Sequence, residues 1–187
     1  MLRIIAGSAR GRRIEAPEGR DTRPTLDRVR ENLFNMIQGK VPEARVLDLF
    51  GGSGALGLEA LSRGAAFAVI ADRDREACRV ERENVEALGF ADRTRLMRGE
   101  WERTLAMLTE EGDRFDLIFL DPPYAMTDLR PVTEMLRPLR AEGAWIVVEH
   151  QAKSEVRVSE DLRAVRERTW GYCGVKIYEQ LCDSGIL

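Results

Sequence analysis

The feature that most constrains this chain is an alternation that begins at Arg45 and runs to Glu149. Short apolar runs at 45–50, 67–71, 94–98, 115–120 and 144–149 are separated by segments of helical spacing at 54–63, 74–88, 101–110 and 127–140. Strand-length runs that each feed an amphipathic helical stretch predict parallel strands joined by right-handed crossovers. In such a sheet, ligands bind beyond the C-terminal strand ends, so the residues that follow each run are the first candidates for chemistry. Residues 162–168 and 175–181 read as two more strands around Trp170-Gly171-Tyr172-Cys173-Gly174, expected as an antiparallel hairpin on the sheet edge.

Two strand ends stand out. After Arg45-Val46-Leu47-Asp48-Leu49-Phe50 comes Gly51-Gly52-Ser53-Gly54, then a helical run. Glycines permit positive φ and close approach of backbone to a ligand, and the helix start offers free N–H groups. Gly52 to Gly57 satisfies the GxGxxG pattern of a dinucleotide site, and Asp72 lies twenty residues after Gly52, where a carboxylate can accept from ribose hydroxyls. An acid at Asp48 suits the ammonium of a methionine moiety and repels a pyrophosphate, which favours S-adenosylmethionine over a dinucleotide. No Gly-Lys-Ser/Thr is present, so a P-loop is excluded.

The second strand end is Asp121-Pro122-Pro123-Tyr124, after the buried run 115–120. The prolines stop the ladder and leave carbonyls pointing outward. A planar exocyclic amine can donate to the Asp121 carboxylate and a proline carbonyl while its ring stacks on Tyr124. A third strand end, Arg98-Gly99-Glu100-Trp101, offers an acceptor for an adenine amino group and a ring wall, with Arg73 beside the ribose acid.

With 44% hydrophobic residues in 187, the chain can build one domain with a substantial core. No apolar run reaches membrane-spanning length and the first residues are too soon charged for a signal peptide, so a cytoplasmic protein is expected. Three cysteines without a CxxC pair, and a single histidine, argue against a zinc site. Cys78 is expected to pack on a helix, and His150 to lie satisfied on the surface at a strand end.

The net charge of -3 hides an uneven distribution. Residues 1–40 hold nine Lys+Arg against five Asp+Glu, while the remaining 147 hold 20 against 27. Arg10, Arg12, Arg13, Arg23, Arg28 and Arg30, with Thr25, are therefore candidates for contact with nucleic-acid phosphates, a task suited to the planar guanidinium fork. This segment reads as a hairpin, 3–6 with 12–16, followed by a helix capped by Thr25 whose apolar stripe is Leu26, Val29, Leu33, Phe34 and Ile37. Residues 1–40 are taken as a basic extension and 41–187 as the main domain.

Residues Arg23-Pro24-Thr25-Leu26-Asp27-Arg28-Val29-Arg30-Glu31-Asn32-Leu33-Phe34-Asn35, with 48–63 and Asp121 to Tyr124, resemble the RsmD-type family of 16S ribosomal RNA guanine-N2 methyltransferases. The resemblance covers nearly the entire chain. It implies a class I methyltransferase fold, with a Rossmann-like, seven-stranded, mostly parallel sheet, helices on both faces and a small N-terminal extension. It also implies S-adenosylmethionine as cofactor, held by Asp48, Phe50, Gly51, Gly52, Ser53, Gly54, Asp72, Arg73, Glu100 and Trp101. The catalytic motif is Asp121, Pro122, Pro123 and Tyr124, and no metal is required. The implied substrate is guanine 966 of 16S ribosomal RNA, presented to a monomeric enzyme on a partly assembled 30S subunit. Ala6-Gly7 stands where the family usually has two glycines, and Glu100 where a shorter acid or amide is common. A DNA adenine-N6 methyltransferase shares the strand-end chemistry, and a non-catalytic RNA-binding assembly factor shares the fold; both remain alternatives.

Overall fold

The computed structural model describes residues 2–18 and 24–181, without the side chains of residues 24–26. Seven strands form one sheet: β3 (Arg45–Asp48), β4 (Phe67–Asp72), β5 (Thr94–Arg98), β6 (Phe115–Leu120), β7 (Arg140–Gln151), β8 (Leu162–Trp170) and β9 (Cys173–Gln180), in the order β5-β4-β3-β6-β7-β9-β8. The first five are parallel, and the β8–β9 hairpin adds antiparallel to β7. This is the mostly parallel seven-stranded sheet expected. Both edges are strongly charged: Arg95 and Arg98 on β5, and Arg163, Arg166, Glu167 and Arg168 on β8. Charged edges discourage pairing with a further strand.

Alternation along the strands divides the core into two layers. Val46, Ile70, Phe119, Val147, Val175 and Ile177 face one way and pack with Phe34 of α1 (Pro24–Ile37), Leu58 of α2 (Ala55–Ser62) and Val85 of α3 (Arg75–Leu88). Leu47, Val69, Ile118, Ile146 and Val148 face the other way, toward Leu105 and Leu108 of α4 (Trp101–Glu110) and Val132 of α5 (Arg130–Met135). Period-two alternation therefore also decides where each strand-end residue points. Asp48, Asp72, Asp121 and Glu149 follow Val46, Ile70, Phe119 and Val147 by two and belong to the α1–α3 side.

Helix α5 is shorter than the stretch 127–140 expected from spacing, because Pro138 has no N–H to donate and disfavours helical geometry at Arg137. Residues Arg137–Leu139 form a single 3-10 turn, and β7 starts at Arg140, four residues earlier than expected, through a register irregularity before Trp145.

The N-terminal hairpin is reduced to β1 (Leu2–Arg3) and β2 (Arg13–Ile14), and shares its core with the sheet: Leu2, Ile4, Ala9 and Ile14 join Val46 and Leu58. Helix α1 begins at Pro24, which puts Thr25 in its first turn and not at a cap before it. The anchor of the segment is Glu59, fully buried on α2. Its carboxylate accepts from the N–H of Ile5 at 2.8 Å and of Ala6 at 3.0 Å, and from Arg63 Nε at 2.7 Å, with Arg30 Nε at 3.7 Å. This full set of donors offsets the cost of burying the Glu59 carboxylate. Gly7, at φ +85°, passes so close that a Cβ would overlap the Ser62 carbonyl, so position 7 requires glycine.

Candidate active site

The tips of β5, β4, β3, β6 and β7 open into a single cleft of ≈ 1050 Å³, closed on one side by Pro17 and Glu18 and on the other by Tyr172 in the β8–β9 turn. A cleft across the strand order β4-β3-β6 lies over the point where the chain reverses its direction of winding, the usual ligand position in such sheets.

One half of the cleft is built from the loop after β3. Gly51 donates to the Ala71 carbonyl at 2.9 Å and Gly52 to Asp72 Oδ2 at 2.9 Å, while Asp72 Oδ1 accepts from Asp74 N at 2.9 Å. Asp72 thus fastens the loop as well as lining the cleft. A Cβ on Gly51 would lie 2.5 Å from both Ile70 and Glu81, and Gly52 and Gly54 sit at φ +60° and +76°. These are packing and dihedral demands that only glycine meets. Asp48 is buried beneath the loop: Oδ2 accepts from Gly57 N at 2.9 Å, whereas Oδ1 has no hydrogen-bond partner. Burial, with a smaller push from the Asp72 charge, raises the Asp48 pKa to about 7. An orphaned carboxylate oxygen of this kind fits an ammonium donor. Phe50, Arg73, Glu100 and Trp101 line the same half, with Arg73 and Glu100 ion-paired at 3.6 Å and largely exposed.

The other half carries Asp121, Pro122, Pro123 and Tyr124, which leave β6 and are turned back by a Met126 N–H to Pro123 carbonyl bond of 2.7 Å. Tyr124 is 42% exposed, and its hydroxyl pKa is raised by partial burial and by the charges of Glu149 and Asp121, so it remains a donor at neutral pH.

A family model described as conserved hypothetical protein 95 matches residues 2–179. The chain belongs to this family, the RsmD family. Its relatives include YlbH of Bacillus subtilis, 38% identical with 96% of this chain and 99% of the relative covered. Another is the Escherichia coli ribosomal RNA small subunit methyltransferase D, 33% identical with 96% and 90% covered. The solved structure of yhhF from Escherichia coli superposes with a TM-score of 0.81 at 34% identity, covering 96% of this chain and 97% of that one.

In this RsmD-family chain the basic N-terminal residues divide into distinct groups. Arg10, Arg13 and Arg28 are exposed. Arg12, also exposed, donates to the Leu88 and Ala87 carbonyls, satisfying the C-terminal end of α3. Arg30 corrects the expectation of a phosphate contact: it is 5% exposed, donating to Asp27 at 3.0 Å and to the Arg3 carbonyl, with Glu59 beside it. The signal was present in the spacing, since position 30 shares the apolar stripe of 26, 33, 34 and 37. Arg23 lies outside the described residues, as does the side chain of Thr25. His150 is also corrected: it is buried, with Nδ1 bonded to the Gln151 carbonyl and its ring so close to Gly174 that a Cβ there would lie at 2.5 Å.

The cleft residues that strand ends and glycines do not single out include Glu149, Tyr172, Glu76, Asp74, Pro17 and Glu18. Glu149 was discoverable as an acid two residues beyond Val147 at the end of β7. Among the described residues no cluster of His, Cys, Asp and Glu suited to a metal is present, and no helix is long and apolar enough to cross a membrane.

Proposed function

We propose that this chain transfers a methyl group from S-adenosylmethionine to the exocyclic N2 amine of a guanine in 16S ribosomal RNA, guanine 966 in conventional numbering. The observation that carries this reading is the opening of Asp121-Pro122-Pro123-Tyr124 into the same cleft as Phe50, Asp72, Glu100 and Trp101, with the 51–54 loop and Asp48 lying behind that wall and β6 adjacent to β3. When bound, S-adenosylmethionine supplies an electrophilic sulfonium methyl. Asp48 would hold the methionine ammonium, the 51–54 loop the methionine, Asp72 the ribose, and Glu100 and Trp101 the adenine. Ribosomal RNA as the substrate is supported by the family and by the name of the Escherichia coli relative.

The guanine amine is a weak nucleophile because its lone pair is delocalised into the ring. Hydrogen bonds from its two N–H groups to Asp121 and to the Pro122 carbonyl would favour a pyramidal nitrogen with its lone pair freed for attack. Positioning of this kind supplies most of the acceleration. Tyr124 stacks on the base, which enters from a loop or is flipped from a helix. Arg10, Arg13 and Arg28 hold the RNA backbone, so residues 1–40 act as the RNA-contacting extension and 41–187 as the methyltransferase domain. The enzyme works as a monomer in the cytoplasm on a partly assembled 30S particle.

The test is transfer of labelled methyl from S-adenosylmethionine to unmethylated 30S particles, free 16S RNA and duplex DNA, with nucleoside analysis and mapping of the modified position. N2-methylguanosine from the ribosomal samples, with particles preferred over free RNA, is expected. Methyladenine in DNA, or no transfer despite donor binding, overturns the reading.

A further inference from the structure

Resting on the guanine reading above, we infer that Glu149 reads the Watson–Crick edge of the target base, its carboxyl oxygen accepting the guanine N1–H beside the amine held by Asp121. Strands β6 and β7 run parallel with Leu120 opposite Val148, which places Asp121 and Glu149 next to each other on neighbouring strands. Both follow the alternation to the α1–α3 side, and both line the cleft with Tyr124. Adjacent strands lie about 4.8 Å apart. Two acceptors at that spacing can converge on the adjacent N1–H and N2–H donors of one guanine edge. Adenine carries an acceptor at N1, so Glu149 in its ionised form rejects it.

The surroundings of Glu149 suit recognition. Burial holds the Glu149 pKa above the ordinary carboxylate range, opposed by the Cys173 thiol on the neighbouring strand and by the Arg30 charge on α1. A carboxyl group desolvated in a cleft wall gains strongly from a ligand donor and discriminates against a base that lacks one.

The experiment uses 16S RNA in 30S particles carrying guanosine, 2-aminopurine or inosine at the methylated position. Inosine lacks the amine and tests the guanine-N2 reading itself: normal transfer to it at that position overturns that reading. The nucleoside 2-aminopurine keeps the amine and lacks N1–H, so it tests Glu149. The wild-type protein should prefer guanosine to 2-aminopurine by about 10- to 100-fold in kcat/KM, the worth of one hydrogen bond to a charged group. Glu149→Ala should lose that preference, with guanosine falling to the 2-aminopurine level. Glu149→Gln, which keeps a carbonyl acceptor, should retain an intermediate ratio. Affinity for S-adenosylmethionine within about twofold of wild type shows that each variant is folded. A wild-type protein indifferent to 2-aminopurine, or a Glu149→Ala protein that keeps the wild-type ratio at any level of activity, overturns the inference.

Discussion

The two halves of the cleft are built on opposite principles. Under the glycine loop, Asp48 is 1% and Asp72 7% exposed, and the loop is fixed by bonds to the tips of its own and the adjoining strand. Around Asp121 the surface is open: Tyr124 is 42% and Tyr172 40% exposed. A preformed, buried half suits a small ligand of constant shape, because little ordering remains to be done on binding. An open half with exposed aromatic rings suits a macromolecule that completes the wall itself. Under the proposed function, the glycine-rich, fully bonded region would set donor affinity and the proline-stiffened, half-finished one acceptor choice.

The sharpest way to break this division is Asp121→Ala. Transfer should fall by at least about a thousandfold, the scale of losing a group that positions and polarises the reacting atom, while donor affinity measured by calorimetry stays within about twofold. Equal losses in both would merge the two halves into one.

Arg30→Met tests whether the basic segment is structural at this position. Glu59 keeps Arg63 and two backbone N–H donors, so the cost is that of the Arg30 bonds to Asp27 and the Arg3 carbonyl and of its charge beside Glu59, about 1.5 to 3 kcal/mol in chemical unfolding. The salt dependence of RNA binding should not change, since Arg30 does not reach solvent.

Asp48→Asn sharpens the donor side. The folded protein holds the Asp48 proton up to about pH 7, whereas the unfolded chain releases it near 3.8. The folded state therefore binds the extra proton, and the stability this confers is complete below the unfolded value and lost as pH rises to about 7. The stability of wild type relative to Asp48→Asn should fall by up to about 4 kcal/mol across that window in urea titrations. Donor affinity of the wild type should rise with pH toward 7, because the ammonium requires the carboxylate, and the variant should show a weaker, flat profile.

A smaller effect is expected on the open side. Tyr124→Ala should weaken substrate binding by about 1 to 3 kcal/mol, read as a rise in KM for 30S particles, with stability changed by less than about 0.5 kcal/mol. Smallest is Arg28→Ala, which should reduce the slope of log affinity against log salt by about one without altering base preference.

Much of this is legible in the sequence alone. Asp48 and Asp121 were found because each ends an apolar run and is followed by a residue class, glycine or proline, that forces the backbone to turn. Tyr124 followed from the same motif. For Arg30 the charge points to solvent while the helical spacing points to the apolar stripe, and the sequence does not say which prevails. The Arg30 partners Glu59 and the Arg3 carbonyl are distant in sequence, and only the packing of α1 against α2 brings them together. Glu149 was overlooked because its neighbour Asp121 lies on another strand, and register between strands is not written in either one.

The sequence by itself determined the alternating architecture, the two layers and the residues at the strand tips, since these depend on local periodicity and on the dihedral limits of glycine and proline. The tertiary structure decided which arginines face solvent, that Asp72 ties down the loop as well as lining the cleft, and that a second acid stands beside Asp121. Those are matters of burial and of contacts between distant segments, and their energies arise only when the sheet has assembled and water has been removed.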